Sequence, residues 1–109
     1  MCEKFDLDRF QAEQKEWCKR NFGEQPYHRQ VFGVGEEFGE LCHAFLKMEQ
    51  NIRGSHETHV LEARDAIGDL MVYLAGVCND QGWNLTEIIA ETWAKVAKRD
   101  WVENPKEGT

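Results

Sequence analysis

Apolar residues recur at helical spacing in four separate runs of this chain, and no stretch shows the strict alternation of a half-buried strand. In the first run Leu7, Phe10, Gln14, Trp17 and Cys18 share one side of a helix expected from about Asp6 to Phe22. Asp6 or Asp8 is placed to cap it, and Gly23 to stop it. Pro26 marks a connection. A second helix is expected from about His28 to Ile52, where Val34, Phe38, Leu41, Phe45, Met48 and Ile52 form a stripe of roughly 80° that reads as its core face. Gly33, Gly35 and Gly39 weaken that helix by up to about 1 kcal/mol each relative to alanine, and they permit either close approach of a neighbouring helix or an irregular first turn. After a loop over 51–55, a third helix begins between Ser55 and Val60 and runs to about Gln81. From Ile67 to Cys78 it is apolar nearly all the way round, which predicts burial on several sides. A fourth, capped by Asn84 or Thr86, carries Ile88, Ile89, Trp93, Val96 and Ala97 to about Trp101. Asn104-Pro105 then breaks the pattern, leaving about 103–109 as a tail. The expectation is one all-α domain over 1–109, a four-helix bundle. Its third helix is too hydrophobic for so small a bundle to cover comfortably, so a homodimer or homotetramer is expected, the alternative being a monomer in which the first helix and the C-terminal segment wrap it.

Acidic residues interrupt this pattern where it is most apolar. Glu36, Glu37 and Glu40 sit on the second helix, and Glu62, Asp65 and Asp69 on the third. At 100° per residue Glu37 and Glu40 lie within about 60° of each other. Glu62, Asp65 and Asp69 likewise share a side. Acids at such spacings commonly form a solvated face, and Glu36 and Glu62 fit that description as well as any other. Asp69, set among Ile67, Leu70, Met71 and Val72, does not, because a buried carboxylate requires a compensating partner. Five or six carboxylates between two facing helices would repel strongly in a low dielectric. A hard cation with a preference for oxygen, Mg²⁺ first and Mn²⁺ as a substitute, answers that crowding.

Composition narrows the classes. With 41% hydrophobic and 30% charged residues the 109-residue chain has the profile of a globular domain rather than a disordered one. No apolar window approaches the length of a membrane span, and the polar opening from Met1 to Arg9 does not resemble a signal peptide, so a cytoplasmic protein is expected. Cys2, Cys18, Cys42 and Cys78 are widely spaced and read as reduced thiols. A net charge of −7 argues against a duplex nucleic-acid partner. An anionic small molecule would need bound cations or the local basic cluster of Lys95, Lys98 and Arg99.

The run Glu37-Phe38-Gly39-Glu40-Leu41, followed by Ala66-Ile67-Gly68-Asp69-Leu70-Met71-Val72-Tyr73-Leu74, resembles the two-helix signature of the MazG-like nucleoside triphosphate pyrophosphohydrolases. That all-α family holds Mg²⁺ with ExxE followed by ExxD. The resemblance extends from the first helix to about Asn104 and includes Lys95-Val96-Ala97-Lys98-Arg99-Asp100-Trp101, similar to the family's closing basic segment. It departs from the pattern at Ala66, where the family has the glutamate of its second motif, and at Trp93, where the family has an asparagine. Asp65 and Glu62 are the available substitutes for the first. The resemblance implies Mg²⁺ held by Glu37, Glu40 and Asp69 with Asp65, and less directly by Glu62 and Glu36. Glu37 or Glu40 would activate water. Cleavage at the α-phosphoryl group would release a nucleoside monophosphate and pyrophosphate. Lys95 and Arg99, a turn apart on the last helix, would bind the departing phosphates, with Lys47 a weaker candidate. Trp17 and Trp83 are aromatic candidates for stacking on a base, although aromatics at helical spacing more commonly belong to a core.

Two other classes remain open. One is a metal protein of a different kind: Glu40-x-x-His43 has the spacing of a di-iron bundle but lacks a second copy, and Cys42, His43, His56 and His59 have no standard zinc spacing. The other is a non-catalytic helical module that docks through its third helix.

Overall fold

The computed structural model describes residues 4–109, and among them every regular element is helical. The elements are α1 (Leu7–Phe22), α2 (His28–Gln50), α3 (His56–Gln81) and α4 (Leu85–Val96). Cys2 lies outside the described residues. Three starts are capped as their sequences require: Asp6 accepts from the Arg9 N–H, Ser55 from Thr58 and Asn84 from Glu87. α1 stops at Gly23 and α3 at Gly82, while Asn51 closes α2 in the left-handed conformation. No helix among the described residues is long and apolar enough to cross a membrane.

α2 and α3 form an antiparallel hairpin, and small residues set how closely they approach. The Tyr73 ring lies where a Cβ on Gly33 would stand, so only glycine leaves it room. At the turn end, Lys47 Nζ donates to Glu62 Oε2 at 2.7 Å. His59, only 1% exposed, places Nε2 2.8 Å from the Ile52 carbonyl and Nδ1 3.0 Å from Glu62 Oε1. These bonds tie the 51–55 turn to both helices.

α1 packs on the second half of α3 through carboxamides as well as hydrocarbon. Gln11 Nε2 donates to Asn79 Oδ1 at 3.0 Å and to the Trp83 carbonyl at 2.8 Å, and its Oε1 accepts from the Leu85 N–H at 2.8 Å. Asn79 Nδ2 donates back to the Gln11 carbonyl and to Gln14 Oε1. Satisfied in this way, Gln11 and Gln14 are buried at little cost. A small apolar core of Ala75, Cys78 and Leu85, joined by Leu7, Phe10 and Met71, sits beside them.

Two expectations need correction. The stripe assigned to the core of α2 is largely unburied in the chain: Phe38 is 60% exposed, Phe45 58% and Ile52 41%. α2 turns Gly33 and Ala44 toward α3 instead, because helices approach most closely through their smallest side chains. The fourth helix ends at Val96, not near Trp101. Beyond it the Asp100 carboxylate accepts from the N–H groups of Val102 and Glu103, a local bond that competes with helix continuation. Asp100 N–H also reaches the Gly108 carbonyl, and Gly108 is buried under Trp101.

Candidate active site

The hairpin register brings five of the six acids into one field. Glu37 on α2 and Asp69 on α3 line the same cavity. The Glu37 carboxyl is held above its ordinary range, first by burial and then by the negative charges of Asp69, Glu36, Glu40 and Asp65. Tyr73, one turn beyond Asp69, is also raised, by burial and then by Glu36, Glu37 and Asp69. Glu40, Asp65 and Glu36 are exposed, whereas Glu37 and Asp69 are half-buried. Among the described residues no three His, Cys, Asp or Glu side chains are gathered closely enough to hold a metal ion as they stand.

Glu62 stands apart from this group. Its carboxylate is taken up by Lys47 and His59, and the hydrogen bond from Lys47, then that from His59, hold it below the usual carboxylate range. The same pair engages Lys47, which the sequence offered for phosphate. His59 is bonded to Ile52 and Glu62, away from Cys42 and His43. Lys95 lies on α4, whose backbone does not approach α2, and Arg99 falls beyond the end of that helix rather than one turn along it. Neither cation is therefore brought to the carboxylates within one chain.

The cavity has a volume of about 400 Å³ and runs beneath α1 between that helix and the hairpin. Trp17, Phe22 and Tyr73 supply aromatic walls, and Gln14, Gln30 and Arg29 the polar ones. Trp17 is thus at the site. Trp83 instead lines a separate apolar groove with Leu74, Ile88 and Trp93. Arg29 and Gln30 went unnoticed in the sequence: they sit in the first turns of α2, next to a proline-marked connection, and carry no motif. The remaining thiols are free, with Cys18 beside the cavity, Cys42 exposed and Cys78 buried and held protonated by that burial.

The arrangement is an acidic edge, able to accept protons and to ligate a hard cation, opening onto a cavity with aromatic and carboxamide walls. Compared with family models, with curated proteins and with solved structures, the chain matches none.

Proposed function

We infer that the chain is a Mg²⁺-dependent nucleoside triphosphate pyrophosphohydrolase of the MazG-like kind. The observation that carries this reading is the raised Glu37, crowded by Asp69, Glu36, Glu40 and Asp65 at the edge of a cavity that also offers aromatic walls. The chemistry of the donors suits the metal, which would have to draw these side chains closer than they stand. The set is all oxygen, it comes from two helices in fixed register, and its mutual repulsion is relieved by a divalent charge. Glu37, Glu40 and Asp69 would hold the ion, with Asp65 standing in for the carboxylate absent at Ala66. Bound there, Mg²⁺ supplies positive charge to the triphosphate and polarises its α-phosphoryl group.

The chain's own groups do the rest. Glu37, reluctant to ionise when the site is free, is a proton acceptor for the attacking water, and the exposed Glu40 is the second candidate. Water oxygen bonds to the α-phosphorus as the bond from that phosphorus to the α–β bridging oxygen breaks. Pyrophosphate then leaves with that oxygen. Arg29, lining the cavity with Glu37 and Asp69, is a cation available to the phosphates from the same chain. Lys95 and Arg99 would have to come from another copy.

A second copy is also what the exposed face of α2 calls for. Val31, Phe38, Phe45 and Ile52 recur every seven residues, and Val34, Leu41 and Met48 fall three residues after the first three of them, a strict heptad seam. The chain exposes 8849 Å², against roughly 6,200 Å² for a compact monomer of 12.7 kDa. Its radius of gyration is 17.3 Å, where a compact chain of this length has about 13 Å. The excess area is of the size that obligate homodimers bury.

The reading is tested by incubating the protein and Mg²⁺ with a panel of nucleoside triphosphates while measuring pyrophosphate and orthophosphate separately. Pyrophosphate in equal amount to monophosphate supports it, and orthophosphate as the primary product overturns the cleavage position. One observation favours the rival docking module, namely the apolar groove between α3 and α4. A docking module gains no thermal stability from millimolar Mg²⁺ or Mn²⁺, whereas the hydrolase does.

A further inference from the structure

Within the chain, α2 leaves one strip uncovered. Val34, Leu41 and Met48 are half-buried, on the side of the helix nearer Ala44 and α3. The open strip is the next one round. It holds Val31, Phe38 and Phe45, each more than half exposed, and, four residues after them, Gly35, Cys42 and Glu49, also exposed. On a helical wheel Cys42 stands about 160° from Ala44, so it lies on the face away from α3.

This strip reads the same in both directions. Turned end for end about a point between Leu41 and Cys42, it sets Phe38 opposite Phe45, Cys42 opposite Cys42 and Gly35 opposite Glu49. Two copies related by a two-fold axis at that point would gather four phenylalanine rings beside the axis. Gly35, whose missing Cβ has nothing within 4 Å, and the small Cys42 let two backbones come close. A partner of another kind would require no such symmetry of the strip.

Charge decides the direction. The first half of α2 and the part of α3 that faces it carry Glu36, Glu37, Glu40, Asp65 and Asp69 against Arg29. The second half of α2 and the turn after it carry Lys47 and Arg53 with Glu49. Parallel pairing would set the two acid edges level. Antiparallel pairing about that axis staggers the two Glu37 residues by roughly 14 Å along the helix, more than the Debye length of about 8 Å at physiological ionic strength. It also lays each acid-rich half beside the basic half of its partner.

We propose, building on the two-copy reading of α2 above, that the second copy binds antiparallel, α2 against α2, about a two-fold axis between Leu41 and Cys42. Phe38 then packs on the partner's Phe45, and Cys42 faces the partner's Cys42.

The test is disulfide mapping of the full chain under mild oxidation with copper–phenanthroline, the linked peptides being identified by mass spectrometry. Cys42 is a free, exposed thiol. Wild type should form a covalent dimer through it, and Cys42→Ser should lose that link. In the Cys42→Ser background, Gly35→Cys and Glu49→Cys should each fail to link alone. Mixed and allowed to exchange, they should link position 35 to position 49. A disulfide needs Cα atoms within about 7 Å, so this pattern reports direction and register together. Gly35→Cys linked to itself overturns the antiparallel direction. A chain that sediments as a dimer yet forms none of these links overturns the pairing through α2 and sends the interface to the apolar groove of α3 and α4. A wild-type monomer ends this pairing together with the two-copy reading. The mapped links in a protein that cleaves no triphosphate uphold the pairing and remove only the hydrolase.

Discussion

Two effects oppose ionisation of Glu37, its burial and the field of Asp69, Glu36, Glu40 and Asp65, and they act with the same sign. A carboxyl whose folded value is raised binds its proton more tightly in the native chain than in the unfolded one. Stability in the metal-free protein therefore declines as pH rises from the ordinary carboxylate value through the raised one. Millimolar Mg²⁺ should recover that loss and raise Tm above that window, and Asp69→Asn should abolish the recovery in thermal melts. Glu37→Gln keeps the shape and removes the proton acceptor, so kcat should fall by about 100-fold or more in a pyrophosphate-release assay. Glu62 has the opposite sign. Lys47 and His59 hold its carboxyl below the ordinary range, so the stability it contributes is present above that range and lost as pH falls through the lowered value. Lys47→Met should flatten this acid limb of a stability–pH curve while leaving the Mg²⁺ response in place, since Glu62 lies outside the group of carboxylates around Glu37.

Helix contacts here depend on residues with almost no side chain. Alanine usually stabilises a helix relative to glycine by about 1 kcal/mol, but at Gly33 an added methyl meets the Tyr73 ring. Overpacking of this kind costs about 1–3 kcal/mol, so Gly33→Ala should lower the midpoint of urea unfolding and shift Tyr73 at the cavity wall. Gly35→Ala, where nothing lies within reach of the new Cβ, should be neutral or stabilising in the same experiment. The contrast separates a glycine needed for packing from one that merely interrupts the helix. The turn elements carry a similar lesson. Asp6, Ser55 and Asn84 cap as their positions in the sequence imply. The end of α4 is set instead by Asp100 and by the fold-back of Gly108 under Trp101, a contact seven residues along the chain that no local propensity reports.

At the scale of the whole molecule the open heptad seam of α2 dominates. Among the described residues twenty large apolar side chains are exposed, more than scattered surface residues account for, and those of α2 are ordered at seven-residue spacing rather than dispersed. Phe38→Asp or Phe45→Lys should reduce the sedimenting mass to that of one chain, with a lower Tm that no longer depends on protein concentration. A wild-type chain that sediments as a monomer at micromolar concentration would overturn the seam's assignment.

Periodicity alone determined four helices, most of their boundaries and the presence of two acidic runs on adjacent helices, because helix formation and capping are local and a 3.6-residue repeat is visible in any window. The pairing of Glu37 with Asp69 was legible as a suspicion, since both acids interrupt apolar runs. Which acids belong together was not. Glu62 and Asp69 share a side of α3 in projection, yet the antiparallel register sends one to Lys47 and His59 and the other to the cavity. Register is a property of two helices in contact, marked here by the place where Tyr73 meets Gly33. The same applies to Gln11, a polar residue outside the apolar stripe of α1 that is buried because Asn79, the Trp83 carbonyl and the Leu85 N–H meet its hydrogen bonds. Burial of a polar group depends on partners distant in the chain, and only the tertiary structure supplies them.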